Sequence, residues 1–293
     1  MKALPSKFKY ISLAVASIFT QAAAAQDIHF LLQDQFQLNG LDNGNYFEAG
    51  AGIGWIETAD YFVEQDDDEE GIFALIIGGR YQTHGFFIEA IDGADDGLNL
   101  GYQLFNYQDQ FTVDLIGANL RGELSEDDDY DDLKDSDNLN ERERLELLED
   151  RDTFYAGAGL RATVRFGQSV IQGKIVTDYS GNGEIASLKV GHSWMLSEDL
   201  TLYGLAGVEY LSEDTSQYWY GIEADETVAQ FGEYSADSAV NYITEIGIKY
   251  ALTENWHYKA YAIYKKLDDE IVDSPIINDD YQAVVMNNFT YRF

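Results

Sequence analysis

Four histidines, His29, His84, His192 and His257, are the first residues to test for chemistry. A hydrolase needs a nucleophile or a water-activating carboxylate beside such a base. Ser193 follows His192, but neighbours on a strand point to opposite faces, so the two cannot form a dyad. His84 falls in a short turn, and His257 begins a strand on the same side. No G-x-S-x-G, H-E-x-x-H or phosphate-cradling loop is present. Without cysteine there is no thiolate site and no disulfide. The sequence therefore predicts no catalytic residue, no cofactor and no dedicated metal centre.

The charged residues offer two other kinds of chemistry. The chain carries 18 Lys+Arg against 53 Asp+Glu, a formal charge of -35, which excludes nucleic acid as a partner. The runs Asp66–Glu70 and Glu126–Asp132, with the tract on to Asp152, could collect divalent cations and bridge to lipopolysaccharide, because Ca²⁺ takes several carboxylate oxygens. Yet Asp127-Asp128-Asp129-Tyr130-Asp131-Asp132 lacks the glycine and terminal glutamate of an EF-hand loop. Solvated loops are the expectation for such runs, with Glu126–Asp150 an extracellular stretch that the fold does not need. The basic residues are different, because they recur at alternate positions of otherwise apolar segments.

Elements must position them, and the sequence predicts strands. The chain begins with Lys2, Lys7 and Lys9, an apolar core Ile11–Phe19 and the small residues Ala23-Ala24-Ala25, the pattern of a signal peptide over 1–25. No later apolar run reaches about 20 residues, so no transmembrane helix follows. From Phe154 to Phe166 the even positions are Phe154, Ala156, Ala158, Leu160, Ala162, Val164 and Phe166, all apolar. The odd positions are small, aromatic or cationic and include Arg161 and Arg165. A strand of about a dozen residues with one wholly apolar face and aromatics at both ends is a lipid-facing strand. The same alternation recurs twelve times, from Tyr46–Ile56 to Tyr281–Phe293. The intervening connections alternate between short ones, such as Gly167-Gln168, and mostly long ones, such as Gly122–Asp152. The predicted fold is all-β: a transmembrane antiparallel up-and-down β-barrel of about 12 strands over 46–293, in the outer membrane of a Gram-negative bacterium. A periplasmic segment 26–45 precedes it, and the acidic extracellular loop 122–152 interrupts it.

This reading turns the inner face of the strands into the candidate site. Arg80, Arg161, Arg165, Lys174, Lys189, Lys249, Lys259 and Lys265 point inward, with Asp114, Glu209 and Glu245 among them. Two outcomes are open: an anion-preferring narrow channel, or mutually paired charges that fill a modest lumen. The ending Asn287–Phe293 puts Phe289, Tyr291 and Phe293 on the lipid side of the closing strand, a tail similar to those by which outer-membrane proteins are recognised for assembly.

Several segments carry a resemblance. They are Gly50-Ala51-Gly52-Ile53-Gly54 with Tyr61 after it, Tyr218-Trp219-Tyr220-Gly221-Ile222, Asp273-Ser274-Pro275-Ile276 and the ending Tyr291-Arg292-Phe293. Together they resemble the MipA/OmpV family. The resemblance implies a non-catalytic scaffold that docks a murein lytic transglycosylase and a murein synthase at the inner face of the outer membrane, using Gln26–Asn45 and the short turns. Two departures lie in loops placed outside. Glu57–Val63 lacks the proline and Gly-Ser usual there, and an acidic insert separates the fifth and sixth strands.

Overall fold

The structure, a computed structural model, describes residues 26–33, 46–57, 59, 72–90, 98–108, 110–122, 154–224, 226–227, 232–277 and 279–293. The leader 1–25, the segment 34–45, Tyr61, the acidic run Asp66–Glu70 and the acidic insert from Glu126 through Asp152 lie outside the described residues.

Twelve antiparallel strands follow one another: β1 (Tyr46–Glu57), β2 (Ile72–Thr83), β3 (Phe86–Ala90), β4 (Leu98–Tyr107), β5 (Phe111–Gly122), β6 (Phe154–Phe166), β7 (Ser169–Asp178), β8 (Glu184–Met195), β9 (Leu200–Leu211), β10 (Ala239–Ala251), β11 (Trp256–Lys266) and β12 (Tyr281–Arg292). Each pairs with its neighbours in the chain, and β1 pairs with β12, so the sheet closes into a barrel. Closure gives every strand a neighbour on both sides, which is what lets a sheet sit in hydrocarbon. The strands coincide with the alternating segments of the sequence to within one or two residues at each end.

Local chemistry explains the turns and the closure. His84 and Gly85 join β2 to β3 with φ of 50° and 86°, the doubly left-handed turn that matches the twist of a hairpin. At the β1–β12 seam Gly50 stands so close to Phe289 O that a side chain there would overlap the backbone. The strand-closing register runs from Glu48↔Arg292 to Glu57↔Ala283. The register slip between Leu100 and Gly101 skips Gly117 of β5, and the one between Gln103 and Phe105 marks a bulge in β4 that leaves both Leu104 and Phe105 on the outside.

The two faces of the wall differ as a membrane requires. Outward side chains are large and apolar, among them Ile53, Phe86, Leu160, Phe166, Ile246 and Phe289, and they are exposed. So large an apolar surface is stable only against lipid. Aromatic pairs gather at both rims. Trp256 packs on Tyr291 and Tyr258 on Phe289 at 5.2 and 5.1 Å, Phe293 continues to Phe47 at 5.5 Å, and Tyr264 stacks on Tyr281 near the other rim. Three short helices complete the described chain: α1 (Gln26–Gln33), α2 (Glu213–Tyr220) and α3 (Asp269–Val272).

Candidate functional site

The inner wall is packed. Arg161 on β6 lies directly opposite Asp114 on β5 and donates to its Oδ2 from Nε and Nη2 at 3.0 and 2.9 Å. A third donation, from Nη1, goes to Glu89 on β3, whose other oxygen stands 3.8 Å from Arg80. Both guanidinium groups lie over the Phe87 ring, at 5.2 and 5.4 Å. Around the barrel, Glu48 accepts from Lys259 and pairs with Arg292 at 3.5 Å, so one carboxylate ties β1 to β11 and β12 across the seam. Arg292 also covers the Tyr46 ring at 4.7 Å. Lys265 pairs with Glu209 at 2.8 Å, and Tyr203 donates to Glu245 Oε1 at 2.9 Å. Lys174, Lys189 and Lys249 are buried on the same wall, Lys174 opposite Arg161 and Lys249 opposite Lys259. Arg80 and Arg165 are half-buried.

Exposure decides what this arrangement is. Side chains lining a water-filled bore are wetted, yet Arg161 and Lys259 are each only 2 % exposed and Lys189 3 %. Buried charges are stable only when paired and hydrogen-bonded, and these are held in networks of that kind.

Apolar clusters close the space toward both ends. At the short-turn end α1 lies inside the barrel against β7, β8 and β9. Ile28, Leu31 and Leu32 are buried among Val170, Tyr203, Leu205, Ile243 and Tyr261. Each such aliphatic side chain gains roughly 1.5–3 kcal/mol on leaving water. Ser193 Oγ donates to Leu32 O at 2.7 Å, and Gln33 Nε2 donates to the Tyr203 hydroxyl at 3.3 Å. The expectation that Gln26–Asn45 lies free for docking is therefore corrected for Gln26–Gln33. Ile28, Leu31 and Leu32 form the face of a helix turned to the lumen wall.

At the long-loop end Ser212 caps α2 by accepting from Thr215 N, with Glu213 and Asp214 favourably placed in the first turn. Trp219, Tyr220 and Ile222 then pack with Leu267, Ile271, Ile276, Leu211 and Ile185. Asp268 caps α3 and also accepts from Val240 N at 2.9 Å, fixing this lid to β10. Tyr234 donates to Glu270 O at 2.7 Å, and burial, then the Glu270 and Asp273 carboxylates, hold its phenol above the usual range. An open cleft of about 360 Å³ lies outside the lid, between Gly181-Asn182 and the α2 side chains Asp214, Gln217 and Tyr218, with Glu223 and Glu226. Among the described residues no three His, Asp or Glu gather as a metal site.

One serine–histidine contact does form, though not between sequence neighbours. Ser169 Oγ and His192 Nδ1 are 2.6 Å apart across β7 and β8, on the outer rim, with the imidazole edge-on to Trp194. Among the described residues no carboxylate is bonded to the second imidazole nitrogen, so the arrangement lacks the orienting member of a triad.

Comparison with known proteins adds the family. The profile of the family described as "MltA-interacting protein MipA" matches residues 49–293. The chain belongs to the MipA family. Among relatives, the MltA-interacting protein of Escherichia coli (strain K12) is 23% identical over 255 residues, 84% of this chain and 90% of that one. Outer membrane protein OmpV of Vibrio cholerae is 25% identical over 206 residues, 67% and 77% of the two chains. A solved NanC porin superposes with a TM-score of 0.41 at 11% identity, covering 83% of this chain and 98% of that one. The protein is thus an outer-membrane β-barrel of the MipA family. Two of the segments that carry the resemblance meet in the lid, where Ser274 Oγ donates to Tyr220 O at 2.6 Å across 54 positions of sequence. The ending divides by parity. Tyr291 and Phe293 meet edge-to-face outside at 4.9 Å, while Arg292 turns inward to Glu48.

Proposed function

We propose that this MipA-family barrel is a scaffold without catalytic chemistry of its own, which docks a murein lytic transglycosylase, together with a murein synthase, at the outer membrane. The observation that supports this reading most is the filled lumen. Its charges pair with one another, and apolar clusters occupy the space toward both ends, so the surfaces left for work are the rims. The name of the Escherichia coli relative, an MltA-interacting protein, points to the class of partner. In the orientation we propose, the short turns face the periplasm. They are His84-Gly85, Gln108–Gln110, Gly167-Gln168, Ser197–Asp199 and Leu252–Asn255, and together with the segment 34–45 they form the docking surface.

The test is direct capture. Purified barrel in detergent, immobilised through a tag in the long-loop end, should retain a purified murein lytic transglycosylase of the same bacterium. Lengthening the Ser197–Asp199 and Leu252–Asn255 turns with Gly-Ser inserts should weaken that retention while the barrel stays folded. Equal retention by an unrelated barrel, or none by this one, would remove the scaffold reading.

A further inference from the structure

The wall beneath α1 is shaped for that helix. Gly191 on β8 faces the lumen, and a Cβ there would meet Leu32 Cδ1, so the leucine would have to shift to make room for any larger residue. Two positions on, Ser193 reaches Leu32 O, and from β9 Tyr203 meets Gln33. Inward-facing Val170, Leu205, Ile243 and Tyr261 are apolar, a poor choice for the wall of a wet bore and a good one for the seat of a helix. The helix is nevertheless no part of the sheet. Every strand has both of its strand neighbours without it, and α1 is held by side-chain packing and by hydrogen bonds that include Ser193 to Leu32 O and Gln33 to Tyr203.

We propose that α1 is a plug, a segment that closes the short-turn mouth from inside and leaves it without unfolding the barrel. Withdrawal would open a vestibule toward Lys249, Lys259 and the Tyr203–Glu245 pair, still sealed at the far end by the lid of α2 and α3. The device is thus a one-sided gate on a blind chamber, and it stands or falls independently of the scaffold reading.

The absence of cysteine makes the test clean. Ser193→Cys places a single thiol under the helix, to be followed with a small maleimide on the full chain folded in detergent. With α1 native the thiol should react slowly. Adding Leu32→Asp, which disfavours the apolar seat and leaves the wall untouched, should speed the reaction by about tenfold or more, as expected when a local opening becomes the dominant state. The heat-modifiable gel shift should stay intact. A second chain lacking 26–33 should behave as Leu32→Asp does. Three results would overturn the proposal. The thiol could react as a fully exposed one beneath native α1. The rate could stay unchanged with Leu32→Asp. Or both altered chains could lose the heat-modifiable barrel, which would make α1 an integral part of the core.

Discussion

At the scale of single residues, the lumen is governed by the cost of an unpaired buried charge. Arg161 bonds Asp114 and Glu89 together, so replacing it takes the shared donor from two buried carboxylates. Arg161→Met should destabilise the barrel by about 3–5 kcal/mol, and adding Asp114→Asn with Glu89→Gln should recover much of that loss. Urea unfolding in detergent measures both. A single variant within roughly 0.5 kcal/mol of the parent would show that the network contributes little. Only part of this site is readable in the sequence. A period of two tells which residues share a face. It says nothing about which charges meet, because partners such as Arg161 and Glu89 lie 72 positions apart. Glu48, Glu89 and Arg292, three members of the networks, are not in the predicted set, although they stand on the inner face of their strands. Arg292 could have been found by the same alternation that put Tyr291 and Phe293 outside.

At the scale of elements, strands are legible and helices are not. Each strand repeats one simple pattern about a dozen residues long, and the short turns between them carry left-handed residues such as Gly85 and Gly167. Helices α1 and α2 span eight residues each, two turns, too few for a 3.6-residue period to stand out. Their burial depends on a wall that the local sequence does not contain. The last strand joins both levels. Among the described residues Phe293 is the most exposed of the large apolar side chains, and its backbone N–H is bonded to Phe47 O at 3.0 Å. Phe293→Asp places a charge on the lipid side of the seam and should impair assembly, whereas Phe293→Tyr, which keeps an aromatic suited to a membrane rim, should not. Outer-membrane fractionation and the heat-modifiable shift follow the two variants. Equal assembly of both would refute the lipid-face assignment. Asn288, on the opposite face of the same strand, is fully buried and packs its Cβ in the space that Gly52 leaves.

At the scale of the whole molecule, the barrel is one closed wall with its work divided by end. Gly122 and Phe154 are register partners at the tips of β5 and β6, so the acidic insert leaves and returns at the same point. Joining Ser125 to Arg151 through a short Gly-Ser linker should therefore keep a heat-modifiable barrel in the outer membrane. Loss of the folded band would mean that the insert supports the wall. The central claim is that the lumen is filled and does not conduct, and planar-bilayer recording tests it most directly. The purified barrel inserted in a lipid bilayer should give no discrete conductance steps. Single-channel steps that disappear when Arg161 and Arg165 are both changed to Glu would contradict the account and make the protein a channel.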